Sequence, residues 1–195
     1  MENSNLLVFA GPNGSGKSSI TQTLPVTGVY INADKIQEEL HCDALTAAQS
    51  AAAARSYCIQ HQMSFTMETV LSSTFSFDVI QSTYQAGYEI TLIYVLTNDP
   101  RINVARVAAR IAAGGNFVAE EKIIPRYWRS LALLPQVIPL CRRVLIFDNS
   151  AERNDGKPDL IISIHDGRTA VSPNAFWSEE NIKSLLAGTY GAAGT

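Results

Sequence analysis

The stretch Phe9–Ser19, FAGPNGSGKSS, decides the fold, because it places a phosphate-binding loop between a short apolar strand and a helix. The pattern G-x-x-x-x-G-K-[ST] runs from Gly11 to Ser18. Its glycines let backbone N–H groups turn toward an anion at a helix N-terminus. We expect Lys17 to pair with β- and γ-phosphate oxygens and Ser18 to ligate Mg²⁺. The residues expected to contact a nucleoside triphosphate here are Gly11, Pro12, Asn13, Gly14, Ser15, Gly16, Lys17, Ser18 and Ser19.

Length and composition exclude several classes of protein. The 195 residues suffice for one well-buried domain, and we expect residues 1–195 to form a single unit. The formal net charge of −3 argues against a surface for long nucleic acids. The sequence has no run of about 18 apolar residues, so we expect no membrane span. The first ten residues lack signal-peptide features, and Cys42, Cys58 and Cys141 have no metal-ligand spacing, so we expect a cytoplasmic protein.

Strand patterns alternate with helical patterns along the chain, which predicts an α/β fold with a parallel sheet. Strands are predicted at Leu6–Ala10, Val29–Asn32, Ser64–Met67, Tyr88–Leu96 and Arg143–Asp148, with a sixth at Leu160–His165. Helices are predicted at Lys17–Leu24, Lys35–His41, from Asp43 or Thr46 to Gln62, at 75–86, from Asp99 to Ala113, at Glu120–Ile138 and near Ser178–Leu186. The small, polar residues 188–195 are expected to form a frayed tail.

Other nucleotide-binding classes fit less well than a small kinase. A switch GTPase needs a lysine in its guanine-reading loop, and the corresponding stretch Thr97–Pro100, TNDP, has none. An AAA-type ATPase needs a carboxylate-ended strand beside the phosphate loop, which Val144–Asp148 imitates, but also a much longer chain. We interpret Asp148 and Asn149 as either purine-side or structural residues, and assign Asn149 to the nucleotide site.

Two carboxylates follow predicted strands and are candidates for the acceptor site. Asp34 comes directly after the second strand, at the edge of the sheet where ligands bind in doubly wound folds. It is either a base facing the phosphate loop or the N-cap of the next helix, and one Asp could serve both roles. Glu68 ends the third strand and is either an acceptor-binding acid or a solvated strand end.

A basic stretch after the fourth strand predicts a phosphate-binding lid. Arg106 and Arg110 are four residues apart, so they share one helix face. Gly114-Gly115 is a plausible hinge, and residues 114–122 are the predicted lid. Arg126 lies beyond it and is assigned to the substrate site. The alternative is a solvated basic face, but the stretch has far more cations than acids; its cations are Arg101, Arg106, Arg110, Lys122, Arg126 and Arg129.

Five segments together resemble the zeta toxin family of P-loop kinases, in particular its short, single-domain members. They are GPNGSGKSS, YINADKI, FTMETVLSS, RVAARIAAGGNFVAEEKIIPRYWRSL and VLIFDNS. The resemblance implies a nucleoside-kinase-like parallel core in the order 2-3-1-4-5. It implies that Asp34 is the general base, that Glu68 contacts the acceptor, and that Arg110, assisted by Arg106, stabilises phosphate. It also implies ATP as donor, UDP-N-acetylglucosamine as acceptor, and a separate antitoxin as partner.

The sequence departs from the family pattern after the two glycines. Many relatives carry His-x-Val-Pro there, whereas this chain has Asn116-Phe117-Val118-Ala119. We hypothesise an ATP- and Mg²⁺-dependent phosphotransferase that acts on a hydroxyl of a small molecule. The alternatives are a kinase for another acceptor (an antibiotic, a nucleotide or a nucleic-acid end) and a nucleotide-binding module that regulates a partner without transferring phosphate.

Overall fold

The strand that precedes the phosphate loop lies inside a seven-stranded sheet with the order β2-β3-β1-β4-β5-β6-β7. The structure, a computed structural model, describes residues 3–151 and 157–191. The strands are β1 (Asn5–Ala10), β2 (Val29–Ile31), β3 (Phe65–Thr69), β4 (Glu89–Leu96), β5 (Arg143–Asp148), β6 (Asp159–His165) and β7 (Arg168–Val171). The first five strands pair in parallel, which confirms the predicted core order.

The helices connect the parallel strands. They are α1 (Lys17–Thr21), α2 (Ala33–Leu40), α3 (Ala44–Gln60), α4 (Thr74–Gln85), α5 (Pro100–Ala112), α6 (Glu120–Val137) and α7 (Glu179–Ala187), with a 3-10 turn at Ile138–Leu140. No helix in the described ranges combines the length and apolarity needed to cross a lipid bilayer.

The central strands are buried on both faces, as their continuous apolar sequences predict. Val8, Phe9 and Ala10 of β1 are fully buried. Alternate side chains face opposite layers, so Phe9 packs with Ile20 and Ile93 while Val8 joins the larger core on the other face. The strand that leads into the phosphate loop is therefore packed on both faces of the sheet, which anchors the start of the loop.

Several predicted boundaries differ from the structure. Helix α1 ends at Thr21 rather than Leu24. Strand β3 extends to Thr69, so Glu68 lies within the strand and not at its end. Asn32 is the N-cap of α2 and accepts from the backbone N–H of Asp34 at 2.8 Å. The alternative interpretation of Asp34 as the cap is therefore wrong, because the helix begins two residues earlier than predicted.

The predicted sixth strand is present, and the structure adds a seventh that the sequence did not suggest. Both run antiparallel, with β6 on β5 and β7 on β6. Residues 188–191 were expected to fray, yet the Tyr190 ring packs 4.7 Å from the Trp177 ring between centroids. The rest of the predicted tail, residues 192–195, lies outside the described residues.

A buried carboxylate joins the C-terminal segment to the end of β5. Asp148 is 2% exposed and accepts hydrogen bonds from Trp177 Nε1 (3.1 Å), Asn174 Nδ2 (2.8 Å) and the backbone N–H and hydroxyl of Ser150. These donors replace the water that the carboxylate loses on burial. The contacts support the structural interpretation of Asp148.

We predict that Asp148→Ala destabilises the protein by about 3 kcal/mol or more, because several buried donors lose their acceptor at once. Urea unfolding followed by circular dichroism measures the change. The control is Asp78→Ala on the exposed face of α4, with an expected change within about 0.5 kcal/mol. Equal, small losses in both variants would contradict the role assigned to Asp148.

Candidate active site

A cleft of about 800 Å³ lies at the carboxyl ends of the parallel strands, above the phosphate loop (residues 11–18). The loop, the start of α2, the end of β3, helices α5 and α6 and the segment between those helices line it. The cleft brings together ten of the predicted site residues, which are Asn13, Gly14, Gly16, Lys17, Ser18, Asp34, Glu68, Arg106, Arg110 and Arg126.

The phosphate loop presents unsatisfied backbone donors to this cleft. In the described part of the chain, the N–H groups of Gly14, Gly16, Lys17 and Ser18 donate to no other group. Gly16, at φ +94°, adopts a left-handed conformation that turns the chain into α1. Free N–H groups at a helix N-terminus fit an anion such as a phosphate. Of the other predicted loop contacts, Asn13 lines the cleft, whereas Gly11, Pro12 and Ser15 are buried and Ser19 is exposed outside the cleft lining.

Lys17 folds back over the loop. Its Nζ donates to the carbonyl oxygens of Gly11 (2.6 Å) and Pro12 (3.0 Å). Burial lowers the pKa of the Lys17 ammonium to about 8, a shift that Glu68 and Asp34 oppose and Arg110 reinforces. Phosphate oxygens accept stronger hydrogen bonds than carbonyl oxygens, so a bound polyphosphate can draw the ammonium away from the loop.

Two asparagines from distant elements hold the loop in shape. Asn103 on α5 is fully buried and donates from Nδ2 to the Asn13 carbonyl at 2.6 Å. Asn149 donates from Nδ2 to the Ser15 backbone carbonyl at 2.9 Å, and the backbone carbonyl of Asn149 accepts from Arg106 Nη1 at 2.8 Å. The sequence assigned Asn149 to the nucleotide site, and its direct nucleotide contact remains a prediction. Sequence reasoning missed Asn103, whose only signal was a polar residue at a buried helix position.

The two candidate acids differ in their surroundings. The Asp34 carboxylate is exposed to the cleft and accepts no hydrogen bond from the described residues. Glu68 is half-buried, and its Oε1 accepts from the Tyr30 hydroxyl. Tyr30 was also missed, because a tyrosine in a short strand carries no signal of its own. Asp34 thus differs from Glu68 in that both of its carboxylate oxygens lack a hydrogen-bond donor within the described residues.

The basic stretch divides into cations that face the cleft and cations that do not. Arg106, Arg110 and Arg126 line the cleft, and none of them pairs with a carboxylate within the described residues. The remaining members serve elsewhere. Arg101 pairs with Asp99, Arg129 donates to the Ser72 carbonyl at 3.1 Å, and Lys122 is exposed outside the cleft lining.

The predicted lid corresponds to an irregular segment, residues 113–119, between α5 and α6. Residues 120–122 belong instead to the first turn of α6. Gly114 has a φ of +85°, and a Cβ at Gly115 would lie 2.7 Å from Cγ of Arg110. The segment therefore packs closely on Arg110, and its residues Asn116, Phe117 and Val118 line the cleft, with Phe117 78% exposed.

The charges of the cleft match a polyphosphate. Four cationic side chains and two carboxylates line it, although the whole chain has a formal net charge of −3. Free loop N–H groups add partial positive charge at the same end. The described residues contain no group of three or more His, Cys, Asp or Glu side chains that could hold a metal ion. Ser18 lines the cleft, and its role as a ligand for Mg²⁺ stays a prediction. The arrangement can bind a triphosphate and place a free carboxylate beside it.

Comparison with known proteins relates this fold to solved structures. The crystal structure of AvrRxo1-ORF1:AvrRxo1-ORF2 is similar to this chain with a TM-score of 0.69, at 13% sequence identity and covering 95% of this chain. The structure of the same complex with ATP has a TM-score of 0.64. A structure of the PezAT toxin–antitoxin system of Streptococcus pneumoniae is similar with a TM-score of 0.53, at 14% sequence identity, and the match covers 96% of this chain and 85% of that chain. The chain has the zeta-toxin-like P-loop kinase fold.

The chain spans 64% of the length of the AvrRxo1 chain that it matches. No protein-family model matches it. An uncharacterized protein of Haemophilus influenzae (strain Rd) is 28% identical over 127 residues, which are 62% of this chain and 91% of that protein.

We predict that Gly16→Ala lowers ATP affinity about 10- to 100-fold, because the loop must shift its phosphate-facing donors. A Cβ there would lie 2.1 Å from Asn149 Nδ2. Gly87→Ala is the matched control: its φ is +85° but nothing lies within 4 Å. Both variants should lose about 1–2 kcal/mol of stability from left-handed strain, and Gly16→Ala should lose more because its Cβ also displaces Asn149. Calorimetric titration should show weakened binding in Gly16→Ala alone, and equal affinities in the two variants would contradict the assigned loop geometry.

ATP affinity should also fall as the pH rises above about 8. Lys17 is charged below its lowered pKa and neutral above it, so the free protein must take up a proton before the ammonium pairs with phosphate. From about pH 7.5 to about pH 9.5, the dissociation constant should increase about tenfold or more. Titrations at constant ionic strength and Mg²⁺ measure it. Lys17→Ala should bind weakly at every pH, and a flat wild-type profile would argue against Lys17 as the titrating group.

Proposed function

We propose that this protein is an ATP- and Mg²⁺-dependent kinase that phosphorylates a hydroxyl of a small molecule. The observation that carries the proposal is the Asp34 carboxylate, which has no hydrogen-bond or ion-pair partner among the described residues and lines the same cleft as the phosphate loop and four cationic side chains. A nucleotide-binding module that only switches conformation needs no free base beside its phosphates. A phosphotransferase does, because the attacking hydroxyl must lose a proton.

The donor nucleotide is held by the loop. Free N–H groups of Gly14, Gly16, Lys17 and Ser18 cradle its phosphates, and the Lys17 ammonium pairs with the β- and γ-phosphate oxygens. Ser18 would hold the Mg²⁺ ion, which, when bound, neutralises charge between the β- and γ-phosphates. Asn103 and Asn149 keep the loop rigid, so its donors are oriented before the nucleotide arrives.

In the transfer step, Asp34 accepts the proton of the acceptor hydroxyl while that oxygen attacks the γ-phosphorus. The bond between the γ-phosphorus and the β–γ bridging oxygen breaks, and ADP leaves with the electron pair. Arg110, Arg106 and Arg126 neutralise the charge on the transferring phosphoryl group. Closure of residues 113–119 over the cleft excludes water, which competes with the acceptor for the phosphoryl group.

UDP-N-acetylglucosamine is the acceptor to test first, on the strength of the sequence resemblance. Two acids, the amide side chains of Asn32 and Gln37, and the hydroxyl of Thr69 line the same cleft, which suits a polyhydroxyl ligand. The proposal includes a separate partner protein. It is supported by the AvrRxo1-ORF1 complex with AvrRxo1-ORF2 and by the PezAT toxin–antitoxin system, which share this fold.

We predict that Asp34→Asn lowers kcat about 10²- to 10⁴-fold, because the amide cannot accept the hydroxyl proton. Its affinity for ATP and its thermal stability should stay near wild type, since Asn32 and not Asp34 caps α2. The assay is acceptor-dependent release of ADP, with UDP-sugars and a small-metabolite extract as acceptors. Glu38→Gln, an exposed acid on the same helix outside the cleft lining, is the control and should keep full activity.

Two outcomes would contradict this proposal. Full turnover by Asp34→Asn would remove its assignment as base. Tight ATP binding by the wild-type protein without transfer to any acceptor would favour the regulatory module instead.

A further inference from the structure

A chain of three polar side chains, Asn32, Tyr30 and Glu68, links one acid of the cleft to the start of α2, where the other acid, Asp34, lies. Asn32 Nδ2 lies 3.2 Å from the hydroxyl oxygen of Tyr30, and that hydroxyl contacts Glu68 Oε1. Asn32 also caps α2, the helix whose second residue is Asp34. Tyr30 and Glu68 lie 38 positions apart on the neighbouring strands β2 and β3.

The direction of every hydrogen bond in this chain is determined. Asn32 Oδ1 accepts from the backbone N–H groups of Asp34 (2.8 Å) and Lys35 (3.3 Å), so the amide nitrogen must point toward Tyr30. The amide nitrogen only donates, so the Tyr30 oxygen accepts from it. The single Tyr30 proton is therefore directed at Glu68, whose carboxylate accepts it.

The Tyr30 side chain is itself held in place. The Lys35 ammonium lies 4.9 Å from the centre of its ring, and the ring is half-buried. Burial, together with the hydrogen bond to Glu68, raises the pKa of Tyr30 to about 12. The phenol therefore keeps its proton throughout the neutral range and acts as a donor rather than as a base.

We propose that Tyr30 is a positioning residue that fixes Glu68 relative to Asp34, so that the two acids together select an acceptor carrying at least two O–H or N–H donors. This inference rests on the proposed kinase function. Within the described residues, Tyr30 is the donor to Glu68 Oε1, and Oε2 accepts no hydrogen bond. Glu68 therefore offers its free oxygen to the acceptor while Asp34 takes the proton of the reacting hydroxyl. An acceptor with one donor satisfies only one of the two acids, and a carboxylate desolvated without a partner weakens binding.

The test is a double-mutant cycle of Tyr30→Phe and Glu68→Ala, with steady-state kinetics on UDP-N-acetylglucosamine or on the acceptor that the extract supplies. Tyr30→Phe keeps the ring and removes only the hydroxyl. It should lower kcat/KM for the acceptor about 10- to 100-fold, mostly through KM, because an oriented carboxylate contact is lost. The KM for ATP should not change. In the Glu68→Ala background, Tyr30→Phe should change kcat/KM less than about threefold, because the group that it positions is gone.

Tyr57→Phe is the matched control, since Tyr57 is 55% exposed on α3 and its ring stacks on His61 outside the cleft lining. It should leave all kinetic constants unchanged. Unchanged acceptor kinetics in Tyr30→Phe, or losses that add fully in the double variant, would overturn the positioning role alone. Absence of transfer by the wild-type protein to any acceptor would overturn the proposed function and the inference with it.

Discussion

The structure depends on one constraint, which is that the phosphate loop must keep several backbone N–H groups unsatisfied and aimed at the same point. Such a loop is unfavourable without an anion, because backbone donors that make no hydrogen bond within the described residues cost free energy, whereas glycine at position 16 lets the chain take its left-handed turn without a Cβ clash. Three parts of the protein hold the loop in place and so offset this cost. Strand β1 anchors it from the sheet, Asn103 holds it from α5, and Asn149 holds it from the end of β5. An anion then meets donors that are already oriented.

The chain that follows β5 also helps to hold the phosphate loop in place. Asn149 can reach the loop only if the chain after β5 is fixed, and the neighbouring Asp148 fixes it by accepting four hydrogen bonds. Two of those donors, Asn174 and Trp177, come from the segment that follows β7. A buried carboxylate without a cationic partner is costly, so its full set of donors is essential. The segment after β5 thus contributes to the nucleotide site without lining it.

Much of the fold could be predicted from the sequence, because its strongest signals are local. The phosphate loop is a contiguous pattern, and the apolar strands β1 and β4 identify the buried centre of the sheet. The position of Asp34 followed from the rule that ligands bind at the carboxyl ends of parallel strands. The core order came from the family resemblance. Strand β7 was missed because Arg168–Val171 is short and exposed, without an apolar face to give it a signal.

The contacts that shape the site could not be predicted in this way, because they join residues far apart in the sequence. Asn149 and Ser15 are separated by 134 positions, and Asn103 and Asn13 by 90. Polar residues such as Tyr30 acquire a role only when the sheet brings β2 beside β3. The expectation that residues 188–191 fray was wrong for a related reason. The small residues of this segment predict a loose tail, whereas its Tyr190 ring packs against Trp177, a contact between residues of different segments.

The most direct test of the account is the destination of the γ-phosphoryl group. The protein is incubated with Mg²⁺ and ATP that carries a radioactive γ-phosphoryl group, together with UDP-N-acetylglucosamine or the metabolite extract. The products are then separated by chromatography. The account predicts that the label passes to an organic phosphomonoester and that Asp34→Asn forms this product about a hundredfold or more slowly. Label found only in inorganic phosphate, or retained in ATP, would contradict the claim that this cleft transfers phosphate to a hydroxyl.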